Sequence, residues 1–148
     1  MKLPFSVLSF ALCAVMLLSS VPLSSANDDG IIIRTESITD QASFIPVSSE
    51  GKKMELIAVR GRDGKVRIAW NTCQVCRGAP KAFFLQKGDA FLCQNCGNAF
   101  DKDSLGSASS GCNPTPVQGA IVENDAIRIP SNVIKSGASI FRNWKKGL

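Results

Sequence analysis

The alternation of apolar and polar residues in this chain is typical of short β-strands. Three apolar residues recur with the period of two that places side chains on one face of a strand: Val66, Ile68 and Trp70. A glycine-flanked turn at residues 61–64 separates this strand from the apolar run 54–59. A further strand is predicted around Phe44, before a Ser-Ser-Glu-Gly turn at residues 48–51. The pattern therefore predicts β-hairpins in the first half of the chain.

The second half of the chain repeats the pattern. Two apolar runs, residues 82–85 and 90–92, are joined by the turn 87–89 and predict a second hairpin. Residues 120–122 and 126–129 are also strand-like. We expect the last apolar residues to cover the sheet: Val133, Ile134, Ile140, Phe141 and Trp144. The predicted fold class is mainly β, a small β-rich domain with little helix apart from the N-terminal apolar segment.

The first 26 residues have the composition of an export signal. Lys2 supplies a positive charge, residues 5–18 are nearly all apolar, and a small-x-small cleavage motif ends at Ala26. An uncleaved membrane anchor is the alternative, because the apolar segment approaches the ~20 residues that span a bilayer. In either case, the folded part is expected in the periplasm or on the outer face of the cytoplasmic membrane.

The remainder of the chain divides into two predicted parts. Residues 27–41 begin with polar and acidic side chains and are predicted to form a flexible lead-in, although the β-branched run 31–33 is consistent with a strand. Residues 42–148 are predicted to form a single domain, since the whole chain has the length that one core usually requires.

Charge and residue content exclude several classes of function. The 148 residues carry a net charge of +5, with basic residues scattered among acidic ones, so no stripe for nucleic acid is apparent. His and Tyr are absent, which excludes histidine triads and histidine ligands to metals or haem. Any redox or metal chemistry is therefore expected to involve the cysteines. We expect a non-catalytic redox or metal-binding protein without catalytic residues.

Two Cys-x-x-Cys pairs provide the most specific signal in the sequence. Cys73 and Cys76 are separated from Cys93 and Cys96 by the predicted second hairpin, which brings the second pair back to face the first. Gly97 can adopt a positive φ, so that the following backbone N–H groups point at the thiolates. This spacing predicts a four-cysteine metal site of the kind found in zinc ribbons and rubredoxins.

A further cysteine, Cys112, lies in the stiff Gly-Cys-Asn-Pro-Thr-Pro segment, residues 111–116. Because Cys13 is expected to leave with the signal peptide, Cys112 has no obvious partner. Three interpretations stay open: a buried inert residue, an exchangeable metal or cluster ligand, and a thiol that pairs with another protein. The proline-flanked setting favours a position near the metal site.

The spacing of the cysteines does not identify the metal. It favours one tetrahedral ion, zinc or iron, because the tight cysteine run of bacterial ferredoxins is absent. A two-iron cluster held by the four paired cysteines, with Cys112 as a spare or replacement ligand, is the other possibility. Zinc would make the site structural, whereas iron would make it redox-active.

Several of these elements together resemble the FtrD-like membrane iron-sulfur family. The resemblance rests on the strand 66–70, the two cysteine pairs with Gly97 and Phe100, and the Cys-Asn-Pro element at residues 111–116, and it extends over residues 54–144. It implies an iron-sulfur or iron-binding domain that accompanies bacterial ferrous-iron uptake systems. The partners that it implies are a membrane iron permease and periplasmic uptake components, including a copper-binding protein.

The leading hypothesis is an exported iron-sulfur or iron-binding domain that transfers electrons or handles iron for such an uptake system. A structural zinc ribbon used for docking is the second hypothesis. A periplasmic thiol-disulfide oxidoreductase is the third, because an oxidising compartment favours disulfides within each cysteine pair. Neither pair precedes a credible helix, and redox-active Cys-x-x-Cys pairs of the thioredoxin type sit at a helix start.

Overall fold

The computed structural model describes residues 30–107 and 111–147. The predicted signal peptide and residues 27–29 lie outside this part of the chain. The strands, in chain order, are β1 (Ile31–Arg34), β2 (Ser43–Ser49), β3 (Lys52–Arg60), β4 (Val66–Cys73), β5 (Phe84–Lys87), β6 (Ala90–Cys93), β7 (Ala99–Asp101), β8 (Pro114–Pro116), β9 (Ile121–Val122) and β10 (Ala126–Ile129). A single-turn 3-10 helix covers each of Thr35–Ser37, Lys102–Ser104 and Ala138–Phe141.

Helix makes up little of the described chain. The α-helix α1 (Ser131–Gly137) has seven residues. Within residues 30–107 and 111–147, no helix combines the length and apolar content needed to cross a bilayer. The prediction of a mainly β domain with little helix is confirmed for this part of the chain.

The central sheet places β2, β3, β4 and β8 side by side in antiparallel pairs. Residues 54–59 of β3 are buried on both faces, which explains why this run is almost continuously apolar. Successive side chains of a strand point to opposite faces of its sheet. The central sheet therefore separates two hydrophobic clusters.

The first cluster lies between the central sheet and a sheet of order β1-β10-β9. Leu56 and Trp70 enter it from the central sheet, and Ile127 and Ile129 enter it from β10. The C-terminal segment packs on the same side, with the ring of Phe141 edge-on to Trp70 at 5.8 Å between centroids. The last apolar residues thus cover the central sheet, as their pattern predicts.

The second cluster lies between the opposite face of the central sheet and a small sheet of order β5-β6-β7. Phe84 and Phe91 are fully buried in it. The predicted second hairpin is formed by β5 and β6, with Phe84 opposite Cys93. Cys73 belongs to the same buried cluster, so this packing brings the end of β4 next to the end of β6.

A buried polar network around Asn71, two residues before Cys73, joins four segments: β3, β4, β5 and the C-terminal segment. The side-chain amide of Asn71 donates to Glu55 at 2.6 Å, and its oxygen accepts from the backbone N–H of Phe84 at 2.7 Å. The ammonium of Lys146 lies 2.5 Å from the same Glu55 oxygen. The indole N–H of Trp144 donates to the backbone oxygen of Asn71 at 2.8 Å. The C-terminal segment and β5 are therefore both tied to β4.

The N-terminal part of the described chain joins the first cluster. β1 pairs with β10, from Ile31 opposite Ile129 to Arg34 opposite Ala126. The strand expected for residues 31–33 is therefore present, and it lies within the segment 27–41 for which the sequence predicts a flexible lead-in.

Candidate metal centre

The five cysteines of the described chain come from three segments that meet at one end of the molecule. Cys73 ends β4 and Cys93 ends β6, while Cys76 and Cys96 follow in the next turns. Cys112 precedes β8, which pairs with the end of β4 so that Pro114 lies opposite Cys73. The register of β4 and β8 shifts between Trp70 and Cys73. Strand pairing therefore brings the third segment to the other two.

Four of these sulfur atoms form a compact group. The Sγ atoms of Cys73, Cys76, Cys93 and Cys112 all lie within 4.8 Å of one another. The Sγ atoms of Cys73 and Cys112 are 3.1 Å apart. In a tetrahedral thiolate site with metal–sulfur bonds of about 2.3 Å, the sulfurs lie roughly 3.8 Å apart. The four sulfurs therefore lie near enough to share one metal ion, with the Cys73–Cys112 pair closer than in such a site.

Cys96 lies at the edge of this group. Its Sγ is 2.8 Å from the Sγ of Cys112, and the residue is exposed, whereas Cys73 and Cys93 are buried. The sequence predicts Cys73, Cys76, Cys93 and Cys96 as the ligands, with Cys112 as a possible fifth. The structure places all five sulfurs close together and puts Cys112, rather than Cys96, in the compact set.

The two Cys-x-x-Cys turns have matching backbone hydrogen bonds. The N–H of Arg77 donates to the oxygen of Cys73 at 2.9 Å, and the N–H of Gly97 donates to the oxygen of Cys93 at 2.8 Å. In the first turn, the N–H of Cys76 also points at the Sγ of Cys73 at 3.3 Å. Gly97 has a φ of 76°, which a glycine adopts without strain. Each turn thus holds its cysteine pair at one end of a hairpin.

The second turn is also tied to the first. The N–H of Gln94 donates to the backbone oxygen of Phe83 at 2.8 Å. The N–H of Cys73 donates to Ala82 at 3.0 Å, and the N–H of Gln74 donates to Asn113 at 2.9 Å. Backbone hydrogen bonds therefore link all three cysteine segments before any metal is considered.

The crowded thiols differ in their tendency to ionise. Burial raises the pKa of Cys112 and of Cys93, and it raises the pKa of Cys76 to about 12. A hydrogen bond from the thiol of Cys112, assisted by the backbone N–H of Asn98, lowers the pKa of Cys96 to about 7. The raised pKa values of Cys76, Cys93 and Cys112 favour neutral thiols unless a cation joins them, because burial disfavours the thiolate and nearby thiolates repel one another.

This donor set fits a thiophilic cation. Several sulfur atoms converge, two of them on buried cysteines, and thiolates are the ligands that zinc, iron and iron–sulfur clusters take from proteins. A bound cation would compensate the charge that burial otherwise disfavours. The residues present therefore suit a metal or an iron–sulfur centre.

Sequence reasoning did not identify the groups that support this centre. Glu55 is only 1% exposed and Asn71 is fully buried, yet both lie in apolar strand patterns. Lys146 belongs to a C-terminal basic run that reads as a solvated tail. The sequence feature that could have revealed this network is the glutamate within the apolar run 54–59, because a buried carboxylate requires a polar or charged partner.

Comparisons with known proteins agree with the cysteine geometry. The family model described as FtrD-like membrane iron-sulfur containing protein matches residues 38–141. No curated protein matches the chain.

Among solved structures, the chain is similar to the quaternary ammonium Rieske monooxygenase CntA in complex with an inhibitor. The two chains are 16% identical with a TM-score of 0.40, over 71% of this chain and 32% of the other. The chain thus spans about a third of the length of that protein, and so weak a likeness supports no conclusion about function. The family match, in contrast, extends over more than half of the sequence, and this chain belongs to the family of FtrD-like membrane iron-sulfur containing proteins.

Proposed function

We propose that this chain is an exported iron-sulfur or iron-binding domain that transfers electrons or handles iron for a bacterial ferrous-iron uptake system. The observation that supports the proposal most directly is the convergence of four cysteine sulfurs within 4.8 Å in a member of an iron-sulfur family. The proposed partners are a membrane iron permease and other extracytoplasmic uptake proteins.

Three cysteines hold the centre in every version of this proposal. Cys73, Cys76 and Cys93 belong both to the ligand set predicted from spacing and to the compact group. Two cysteines are candidates for the fourth ligand. The spacing of the second pair supports Cys96, and the pairing of β8 with β4 supports Cys112. When bound, iron supplies one-electron redox chemistry, which thiol ligands alone do not.

The chain's own residues prepare the site and limit its access. Strands β4 and β6 carry Cys73 and Cys93 into a buried cluster with Phe84 and Phe91, which excludes water from one side of the centre. Cys96, in contrast, is exposed to solvent. This asymmetry supports electron exchange or ligand exchange at the exposed side.

The test is metal analysis of the full chain purified without oxygen from iron-replete cells. We expect stoichiometric iron, with inorganic sulfide if a cluster is present, and thiolate-to-iron absorption in the visible spectrum. A colourless preparation with stoichiometric zinc would contradict the proposal and support a structural zinc ribbon. A metal-free protein that reduces insulin disulfides would support a thiol-disulfide oxidoreductase instead.

Serine variants assign the ligands. Cys93→Ser is expected to lose the metal and much of the stability, because metal binding in small thiolate sites contributes directly to folding. Cys96→Ser and Cys112→Ser form a matched pair, and the variant that retains a full metal content identifies the cysteine that is not required. Full retention of metal by Cys93→Ser would show that the site is elsewhere.

A further inference from the structure

Charged residues are distributed unevenly around the cysteine centre. The sequence contains no acidic residue between Asp63 and Asp89, between Asp103 and Glu123, or after Asp125. Cys73, Cys76 and Cys112 lie within these stretches, and Cys93 and Cys96 lie between Asp89 and Asp101, where the sequence also has no acidic residue. Glu55, which contacts Asn71 and Lys146, is buried and paired, so its carboxylate does not reach the surface beside the cysteines.

Acidic side chains near the second hairpin are already paired with cations. Arg62 contacts Asp101 at 2.9 Å and Asp103 at 2.6 Å, and Lys102 contacts Asp89 at 2.5 Å. In β6, Ala90 next to Asp89 and Cys93 lie at opposite ends of the strand. This charge cluster therefore occupies the far end of the small sheet from the cysteines.

The cysteine end carries cations instead. Four exposed basic residues have no ion pair within the described chain, and we name them the basic edge: Arg77, Lys81, Arg142 and Lys145. They come from two segments, the loop after the first cysteine pair and the C-terminal segment. Four of the positive charges behind the net charge of +5 thus lie in segments next to the proposed centre.

Backbone contacts hold the two segments of the basic edge together. The N–H of Lys145 donates to the backbone oxygen of Pro80 at 2.9 Å, and the side-chain amide of Asn143 donates to Gly78 at 3.0 Å. Arg77 and Arg142 line the same shallow cavity of about 330 Å³. The four cations therefore form one surface rather than separate side chains.

An exposed apolar residue lies two positions before Arg77 in the sequence. Val75 lies within the first Cys-x-x-Cys turn and is 67% exposed, the largest exposed fraction among the large hydrophobic residues described. Protein interfaces typically surround a buried apolar contact with a polar, solvent-accessible rim. Complementary charge on that rim steers association and fixes orientation.

We propose that the basic edge and Val75 form the docking surface for a protein partner with an acidic surface, which is held beside the cysteine centre. The purpose of the docking rests on the proposed function, because contact at the first cysteine turn places the partner next to the redox-active group. The docking itself depends only on the charges and the exposed valine.

The composition of the surface favours an acidic protein over the other anions. All four cations are exposed and spread over two segments, whereas a site for a small anion brings buried polar groups to one point. A membrane-binding surface combines cations with several exposed aromatic or long aliphatic side chains. Here Val75 is the one large apolar residue of the surface that is strongly exposed.

The test measures binding of the full chain to labelled poly-L-glutamate, which presents a protein-like array of carboxylates. The variant Arg142→Glu/Lys145→Glu reverses two charges of the basic edge. The control Lys53→Glu/Lys87→Glu changes the net charge equally at two exposed cations that have no ion pair within the described chain. We expect the edge variant to bind at least about tenfold more weakly, and the control to stay within about twofold of the parent at moderate salt.

Each other outcome would overturn the proposal. Equal weakening in both variants would show that net charge alone is measured. Citrate binding as tight as that of poly-L-glutamate would indicate a small-anion site. Edge-dependent binding to phosphatidylglycerol vesicles, with none to poly-L-glutamate, would indicate a membrane surface.

The metal content of each preparation separates this proposal from the proposed function. Iron-loaded protein whose edge variant binds as tightly as the parent would refute the docking surface alone. Zinc-loaded protein with edge-selective binding would refute the iron proposal and leave the docking surface in place. Circular dichroism confirms that each variant is folded.

Discussion

Replacement of Lys146 by methionine tests the buried polar network that ties the C-terminal segment to β4. Glu55 is 1% exposed, and its Oε1 lies 2.5 Å from the ammonium of Lys146 and 2.6 Å from the amide nitrogen of Asn71. Methionine keeps most of the length of the lysine side chain and removes its charge. Lys146→Met therefore leaves a buried carboxylate with one neutral hydrogen-bond donor.

The expected cost follows from these contacts. Removal of one partner from a buried ion pair costs about 3–5 kcal/mol, because the remaining charge is neither hydrated nor compensated. The lower end applies here, since Asn71 still donates to Glu55 and the side chain of Lys146 is 17% exposed. The ammonium also lies 3.8 Å from the ring centroid of Phe44, a cation–π contact that contributes about 1 kcal/mol. The two contributions together give an expected loss of about 4 kcal/mol in the free energy of unfolding.

The assay is urea denaturation of the full chain at neutral pH, with metal content held equal among the variants. Lys145→Met is the matched control, because the neighbouring lysine is exposed and has no ion pair within the described chain. It should change the free energy of unfolding by no more than about 0.5 kcal/mol. The double variant Glu55→Gln/Lys146→Met removes both charges and should recover much of the loss.

Two results would refute this reasoning. A loss below about 1 kcal/mol in Lys146→Met would show that the contact between Lys146 and Glu55 does not stabilise the folded protein. A double variant no more stable than the single variant would show that lost packing, rather than the uncompensated charge, causes the effect.

Three further predictions concern packing and acid stability. Gly137→Ala should lower the free energy of unfolding, measured in urea, by about 1–3 kcal/mol, because the added Cβ would lie 2.6 Å from the ring of Trp70. This clash should outweigh the higher helix propensity of alanine. Unchanged stability would contradict the packing of Gly137 against Trp70. Phe84→Ala removes a fully buried ring opposite Cys93 and should lower the free energy of unfolding by about 3–5 kcal/mol. Metal analysis should also show a lower metal content. A full metal content would show that metal binding does not depend on this part of the core. Hydrogen bonds from Arg62, first from its backbone N–H and second from its side chain, lower the pKa of Asp103 below 3.8. The stability that this contact contributes is therefore present above pH 3.8 and is lost as the pH falls through the lowered pKa. Urea denaturation at decreasing pH should therefore show a smaller acid-induced loss for Arg62→Gln than for the parent, and equal losses would contradict the assignment.

Local sequence was sufficient for the strands and for the cysteine turns. Val66, Ile68 and Trp70 alternate with polar or small residues, and a strand that buries one face requires this alternation whatever lies opposite it. Two Cys-x-x-Cys pairs separated by a hairpin likewise form their turns from neighbouring residues. The mainly β class and the cysteine-rich end of the second hairpin could therefore be predicted without a structure.

Long-range contacts were beyond the reach of pattern reasoning. Glu55 and Lys146 are 91 residues apart in the sequence, and no local pattern relates a charge within an apolar strand to a lysine near the C-terminus. The basic edge also joins two distant segments, so scattered charges in the sequence become one surface only after folding.

The sequence by itself determined which segments become strands and which cysteines come in pairs, because side-chain alternation and turn chemistry act between neighbours in the chain. Only the tertiary structure decided that Cys112 joins the compact sulfur group. Cys112 is 39 residues from Cys73, and the pairing of β8 with β4 brings the two sulfurs to 3.1 Å. Strand pairing of this kind depends on how the whole apolar surface is buried, which neither segment specifies alone.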